Sequence, residues 1–387
     1  MLGGWFLGYI IGIAYFVVFV TALVIIVRFG QVQCQGKMPT KTFTFIALLF
    51  TAGLDMGLIM LPLSDFNLFA NDRSYAFTNP LAIEFGMWGP LVWLMYFLST
   101  FYFVVLEPRL RIFERPVIKV LYNMTIIATC AFSCFLFANA LPGYLPGTGF
   151  ASQSFIVLLV VACSVYSSGN LHFMKWLAVG STWLFSLLLI SCLLLIFITF
   201  GSAATVKYVH DLELLNGYFS NLYRFLEPIS QYHEFYLYWW FAWSIMIGQF
   251  VSVFVGGMKA WRLAAAMVIL PTIPIAIWFT TLYFFYESEF RIPGWLQIFM
   301  IFVGLVFVVN SLDSLIRLYC LNLSWTKTKL GPARYYIWNF GLQISLVVAY
   351  QFTPFSIEWV GLIVIGLYAL IYISVILNRK AVNIVLS

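Results

Sequence analysis

Hydrophobic positions in this chain come in long unbroken blocks, with few amphipathic stretches between them. Apolar runs of about 18 to 27 residues recur eleven times, near 5–28, 42–64, 84–106, 117–140, 152–169, 173–200, 234–256, 262–286, 293–319, 333–352 and 356–377. About 20 helical residues rising 1.5 Å each span a 30 Å hydrocarbon core, so each block is long enough to cross a bilayer. The pattern predicts an all-α polytopic membrane protein with about 11 transmembrane helices. One segment differs. Residues 206–230 mix Val206, Leu212, Leu215, Phe219 and Leu226 with Lys207, Asp211, Glu213, Arg224 and Glu227. This reads as an amphipathic helix on the outer surface, ended by Pro228, or as a linker that packs on the bundle, the reading that carries more weight.

Composition supports the membrane reading. The 387 residues are 63% hydrophobic and 9% charged, with a mean hydropathy of +0.98. That is too little polar surface to cover a soluble domain of this length. The opening block, Trp5 to Val27, is too long for a signal-peptide core and has no basic stretch before it, so it is expected to be a retained span. Basic residues divide unevenly between alternate loops. Only Arg73, Lys207, Arg224 and Arg291 fall on one side, and the remaining sixteen of the 20 Lys and Arg fall on the other. The positive-inside bias then places the N-terminus outside and the C-terminus in the cytoplasm.

The expected organisation has four parts. Residues 1–41 form an extra helix and a cytoplasmic loop, and 42–200 a first set of five helices. Residues 201–233 hold the external amphipathic segment, and 234–387 a second set of five helices with a short cytoplasmic C-terminus. The two sets start from opposite sides and would be related by inversion, as in many secondary transporters that bind substrate at the midplane between repeats.

Reactive constellations are missing from the pattern. Cys34, Cys130, Cys134, Cys163, Cys192 and Cys320 lack metal-ligand spacing, and most fall in apolar spans or cytoplasmic loops, which argues against a disulfide framework. His172, His210 and His233 are dispersed. No nucleotide-binding loop or hydrolase arrangement stands out, so neither an enzyme nor a resident cofactor, metal or nucleic acid is expected. Glu84 and Glu234 fall at the outer ends of two spans; they could draw cations toward a vestibule but read more readily as solvated end residues.

Two aromatic clusters carry the functional signal. One is Trp88, Trp93 and Tyr96; the other is Trp239, Trp240 and Trp243. On straight helices the first set falls within an arc of about 140° and the second within about 100°. Trp93 and Trp243 each lie nine residues from their predicted helix starts, or roughly 13 Å deep. Facing each other, the two sets would form an aromatic cage, which attracts a quaternary ammonium ion through the ring faces. Trp88 and Trp239, nearer the outer end, fit an interfacial belt best. A second signal is Asp55, an acid in mid-membrane between Gly53 and Gly57. Such an acid faces a cavity, an ion path or a partner. The flanking glycines predict a helix that unwinds and exposes backbone carbonyls.

These residues resemble the betaine–choline–carnitine transporters over nearly the whole chain. Residues 43–65 resemble the family's glycine-rich segment, and Trp88-Gly89-Pro90-Leu91-Val92-Trp93-Leu94-Met95-Tyr96 keeps its tryptophan–tyrosine spacing. Tyr238-Trp239-Trp240-Phe241-Ala242-Trp243-Ser244 resembles its most diagnostic stretch, and Pro271-Thr272 its proline–threonine pair. Phe307-Val308-Val309-Asn310-Ser311-Leu312-Asp313-Ser314 resembles the segment lining its sodium site. Against the family, the chain is expected to lack one usual first helix and long tails; Asp55 stands where a small residue is common, and Asn310 where sodium-coupled members have threonine.

The resemblance implies a LeuT-like 5+5 inverted repeat in a bacterial inner membrane, moving a choline-, betaine- or carnitine-like substrate by alternating access. It implies substrate contact by Trp88, Trp93, Tyr96, Trp239, Trp240, Trp243, Gly53, Asp55 and Gly57. It implies a coupling ion, Na+ or H+, at Asp55, Thr51, Leu54, Phe307, Asn310 and Ser311. Asp55 could carry a proton, complete a sodium site or counter a cationic substrate; a structural ion pair is the remaining reading. As a counter-charge it would favour choline over betaine. Asp313 is expected to pair with Arg317 four residues on. Many family members are trimers, so a homotrimer or larger membrane complex follows from the resemblance alone. The competing functional reading is a transporter-derived subunit that no longer transports and serves as a sensor or scaffold.

Overall fold

The computed structural model describes residues 4–54, 56–353 and 356–386. The first half holds helices α1 Gly4–Arg28, α2 Thr42–Ala52, α3 Gly57–Met60, α4 Pro62–Asn71, α5 Pro80–Trp88, α6 Pro90–Phe101, α7 Glu107–Leu110, α8 Pro116–Tyr144, α9 Phe150–Ser168 and α10 Leu171–Phe200. The second holds α11 Ser202–Leu214, α12 Asn216–Ser220, α13 Gln231–Ser252, α14 Ala260–Glu287, α15 Gly294–Asn322, α16 Lys327–Leu330, α17 Pro332–Tyr350, α18 Ile357–Leu377 and α19 Arg379–Leu386. Among the described residues, eight helical segments are long and apolar enough to cross a membrane. The chain is therefore an all-α, polytopic integral membrane protein. The other three expected spans coincide with the interrupted run α2–α4, with α13 and with α17.

Three expected helices are broken. The 42–64 block stops at Ala52, resumes as α3 and restarts at Pro62, whose ring suits the first turn of a helix. The 84–106 block is divided at Gly89–Pro90, where Gly89 is extended (φ −86°, ψ −152°), and it passes through a π turn at Tyr102–Leu106. The expected amphipathic helix over 206–230 is α11, α12 and a 3₁₀ turn at Leu222–Leu226. Those pieces fold over the end of the bundle. Tyr208 donates to Ile277 O (3.1 Å), Asn79 donates to Leu214 O (2.9 Å), and the Phe225 ring fills the space beside Gly86.

A short antiparallel ribbon marks the opposite end. Strand β1, Gln33–Gln35, pairs with β2, Gly256–Lys259. Next to it, Met38 N donates to Val253 O (2.8 Å) and Thr40 N to Phe254 O (3.0 Å). The chain just before α2 is thus joined to the chain just after α13, so these two helices run antiparallel. By contrast, α5–α6 and α13 run parallel. Trp88 meets Trp240 near one end, and Ser99 donates to Ser244 O (2.6 Å) further along. Gly248 permits this approach, because a Cβ there would overlap Ser99.

Candidate functional site

The site begins at the interruption after α2. The structure breaks the helix where the glycine spacing predicts, leaving carbonyls of the last α2 turn turned toward other helices. Ser311 Oγ of α15 donates to Leu54 O in a short contact, lies 3.5 Å from Thr51 O and 3.1 Å from Phe307 O. Tyr96 Oη of α6 donates to Gly53 O (3.1 Å), and Trp278 Nε1 of α14 donates to Leu58 O on α3 (2.9 Å). Three helices therefore hold the broken segment by its backbone. Space is tight: a Cβ on Gly53 would stand 2.7 Å from the Tyr96 ring.

From this break a cavity of about 220 Å³ runs toward the end of the bundle that carries residues 201–230. Gly57 and Ser311 lie at its floor, and Trp88, Tyr232, Tyr236, Trp239, Phe235 and Tyr144 wall it. The aromatic walls brace each other. Trp88 meets Tyr236 edge-on at 5.8 Å and Trp240 at 5.0 Å, while Trp239 stacks on Phe235 at 6.0 Å. It is Ser311 that joins the two features: it borders the aromatic cavity and bonds the carbonyls of the interrupted helix.

The two expected clusters do pack together, but with a different division of labour. Trp88 and Trp239, which fit an interfacial belt by depth but substrate contact by the resemblance, line the cavity. Trp93 stacks on Phe50 of α2 at 6.3 Å and meets Tyr96 edge-on at 5.4 Å. Trp240 donates its indole N–H to Met87 O (2.7 Å), and Trp243 packs on Trp239 at 5.6 Å. These four are buried supports behind the cavity wall. The Gly89–Pro90 break falls between Trp88, which ends α5, and Trp93, which stands on α6.

Of the expected ion-coupling residues, Thr51, Leu54, Phe307 and Ser311 converge. Asn310 turns away and donates its amide to Ser181 Oγ of α10 and to Val306 O, both at 2.8 Å. Asp55 lies outside the described residues. Asp313 and Arg317 do not form the expected ion pair. The Asp313 carboxylate accepts from Ser167 of α9 and from Ser314, and Arg317 donates to Ser168 O (3.0 Å). The approach of α9 supplies partners that a single-helix view leaves out.

Glu84 also departs from expectation. It is not solvated but fully buried, and neither carboxyl oxygen makes a hydrogen bond. The Trp88 indole N–H one turn on is close by, yet falls short of hydrogen-bond geometry. Glu234 is only partly covered. Sequence reasoning also missed Tyr232, Tyr236, Phe235 and Trp278, whose aromatic character is unremarkable in a chain that is 20% aromatic.

No protein-family model and no curated protein matches this chain.

Proposed function

We propose that the chain is a secondary transporter of a quaternary ammonium compound, choline-like in charge, related to the betaine–choline–carnitine transporters. The observation that carries this reading is the aromatic cavity that reaches the interrupted helix at Met56 and Gly57, beside Ser311. Ring faces at Trp88, Tyr236 and Trp239 suit a trimethylammonium group, which cannot donate hydrogen bonds and gains about 2 kcal/mol or more over a desolvated ring. Below it, Ser311 Oγ with Thr51 O, Leu54 O and Phe307 O offers the all-oxygen ligation a coupling Na+ prefers.

The helix directions support an eleven-span, 5+5 inverted arrangement. In that arrangement α2–α4 opens the first repeat and α13 the second, and their antiparallel course is what inversion requires. The ribbon joins the loop after α1 to the loop after α13; with six spans between, both fall on the same membrane face. The positive-inside bias makes that face cytoplasmic and the cavity outward. Alternating access would rock the helices around the break, with Gly53 and Gly57 as hinges.

The test is binding of choline, betaine and carnitine to purified protein, read by tryptophan fluorescence with and without sodium. Uptake of radiolabelled choline into liposomes holding only this protein completes it. Saturable choline binding and uptake are expected. Copurification of a fixed partner, with no ligand binding or uptake, would establish the scaffold reading in its place.

A further inference from the structure

Beside the cavity sits a pair of buried carboxyls that the proposed transport cycle leaves unused. Glu84 on α5 is 0% exposed and Asp65 on α4 is 5% exposed. Asp65 Oδ2 accepts from Tyr232 Oη at 2.9 Å, and Tyr232 Oη lies 3.4 Å from Tyr236 Oη. Glu84 has no hydrogen bond at either oxygen. The titratable side chains facing it are Asp65 from α4, Tyr75 from the turn after α4, and Tyr232 and Tyr236 from α13. From α12, Tyr218 packs on the adjacent Phe85. The nearby His233 is turned back to accept from Ile229 N. Among the described residues no Lys, Arg or His pairs with Glu84.

An unpaired carboxylate buried in this way costs several kcal/mol, so the group persists as the neutral acid or with a cation beside it. Two neighbouring carboxyls away from water share a proton more readily than they both ionise. Tyr232 stabilises charge on Asp65 by donating to it, which leaves the proton on Glu84. Tyr232, Tyr236 and Trp88 separate this pair from the cavity by one layer of rings. A cation in the cavity would supply the missing positive charge and allow Glu84 to ionise.

We infer that Glu84 and Asp65 form a proton-binding pair, and that a cation entering the cavity displaces its proton. On displacement the Glu84 O–H bond breaks, the proton passes by way of Asp65 and Tyr232 to outside water, and the new carboxylate balances the bound cation's charge from behind the aromatic wall. The inference rests on the proposed reading for the identity of that cation, and it makes the protein a proton–cation exchanger at this site.

Calorimetry of choline binding to the full chain in lipid nanodiscs, in two buffers of different ionisation heat, measures the protons released. About one proton per choline is expected, with affinity falling about tenfold per pH unit on the acid side. Glu84→Gln, a neutral isostere of the protonated acid, should bind choline with no proton release and no pH dependence. Choline binding without proton release in the unaltered protein, or unchanged release in Glu84→Gln, overturns the inference. Infrared spectra give a readout independent of transport. A protonated-carboxyl C=O band at neutral pH should vanish in Glu84→Gln, persist in Asp65→Asn and weaken on adding choline. If choline, betaine and carnitine all fail to bind, the transporter reading falls and displacement with it. The band then decides the pair alone: its presence upholds a buried proton and its absence refutes one.

Discussion

Replacing Ser311 by alanine is the sharpest test of the proposed ion site. Ser311 has one hydroxyl hydrogen and faces three carbonyl oxygens, of Leu54, Thr51 and Phe307. The hydrogen goes to Leu54 O, so the hydroxyl lone pairs and the remaining carbonyl lone pairs crowd one buried point. A small cation there would meet the Ser311 oxygen and the carbonyls together. Ser311→Ala removes one ligand and leaves Leu54 O without its donor. A hydrogen bond or ligand to a charged group is worth about 1.5–3 kcal/mol, which converts to a loss of sodium affinity on the order of 10- to 100-fold.

The assay is a sodium titration of the choline-induced change in tryptophan fluorescence. Asn310→Ala is the matched control, because it breaks the bond to Ser181 and should lower stability by about 1 kcal/mol without moving the sodium midpoint. An unshifted midpoint in Ser311→Ala, a larger shift in Asn310→Ala, or no sodium dependence in the unaltered protein refutes the site.

Further outcomes follow from the same geometry. Trp88→Ala or Trp239→Ala should weaken choline binding about 30-fold, the equivalent of about 2 kcal/mol of ring–cation attraction; equal or greater loss in Trp243→Phe would put the ligand elsewhere. Gly53→Ala forces a Cβ to within 2.7 Å of the Tyr96 ring and should cost about 1–3 kcal/mol, seen as a lower thermal-unfolding midpoint. Burial pushes the Cys34 thiol, in the ribbon outside the spans, up to about 12. At pH 8 the reactive thiolate is then a fraction of about one in ten thousand, so Cys34 should resist alkylation in the native protein and react on denaturation, as read by mass spectrometry.

Helix positions were legible because membrane burial writes itself as block length, which needs no knowledge of partners. The interruption at Gly53–Gly57 was legible for a similar reason, since glycine weakens a helix wherever it sits. Glu84 is misplaced by block length alone, which starts the span at that residue. Asn79-Pro80 carries a start signal that block length ignores: Asn79 Oδ1 accepts from Ala82 N (2.9 Å), and Pro80 opens the first turn. The helix therefore begins four residues earlier and Glu84 lies a turn inside. The separate places of Trp88 and Trp93 escape a comparable shortcut. A helical wheel assumes a straight helix, and Gly89-Pro90 was a visible breaker between them. The Asp313 partners were not legible, because Ser167 lies on α9, 146 residues away in sequence.

The broken segment explains how ion, substrate and movement would be linked in the proposed carrier. Its carbonyls are held from three sides, by Ser311 on α15, Tyr96 on α6 and Trp278 on α14. Leu54 O cannot accept strongly from Ser311 and coordinate a cation along the same direction, so ion entry must reorient the hydroxyl and loosen one of three tethers. The next residue but two is Gly57, at the cavity floor beneath the aromatic walls. Any shift of the break therefore alters the floor on which the substrate rests. Coupling of this kind needs no long pathway. It follows from one unwound stretch of backbone serving as ligand, hinge and cavity floor at once.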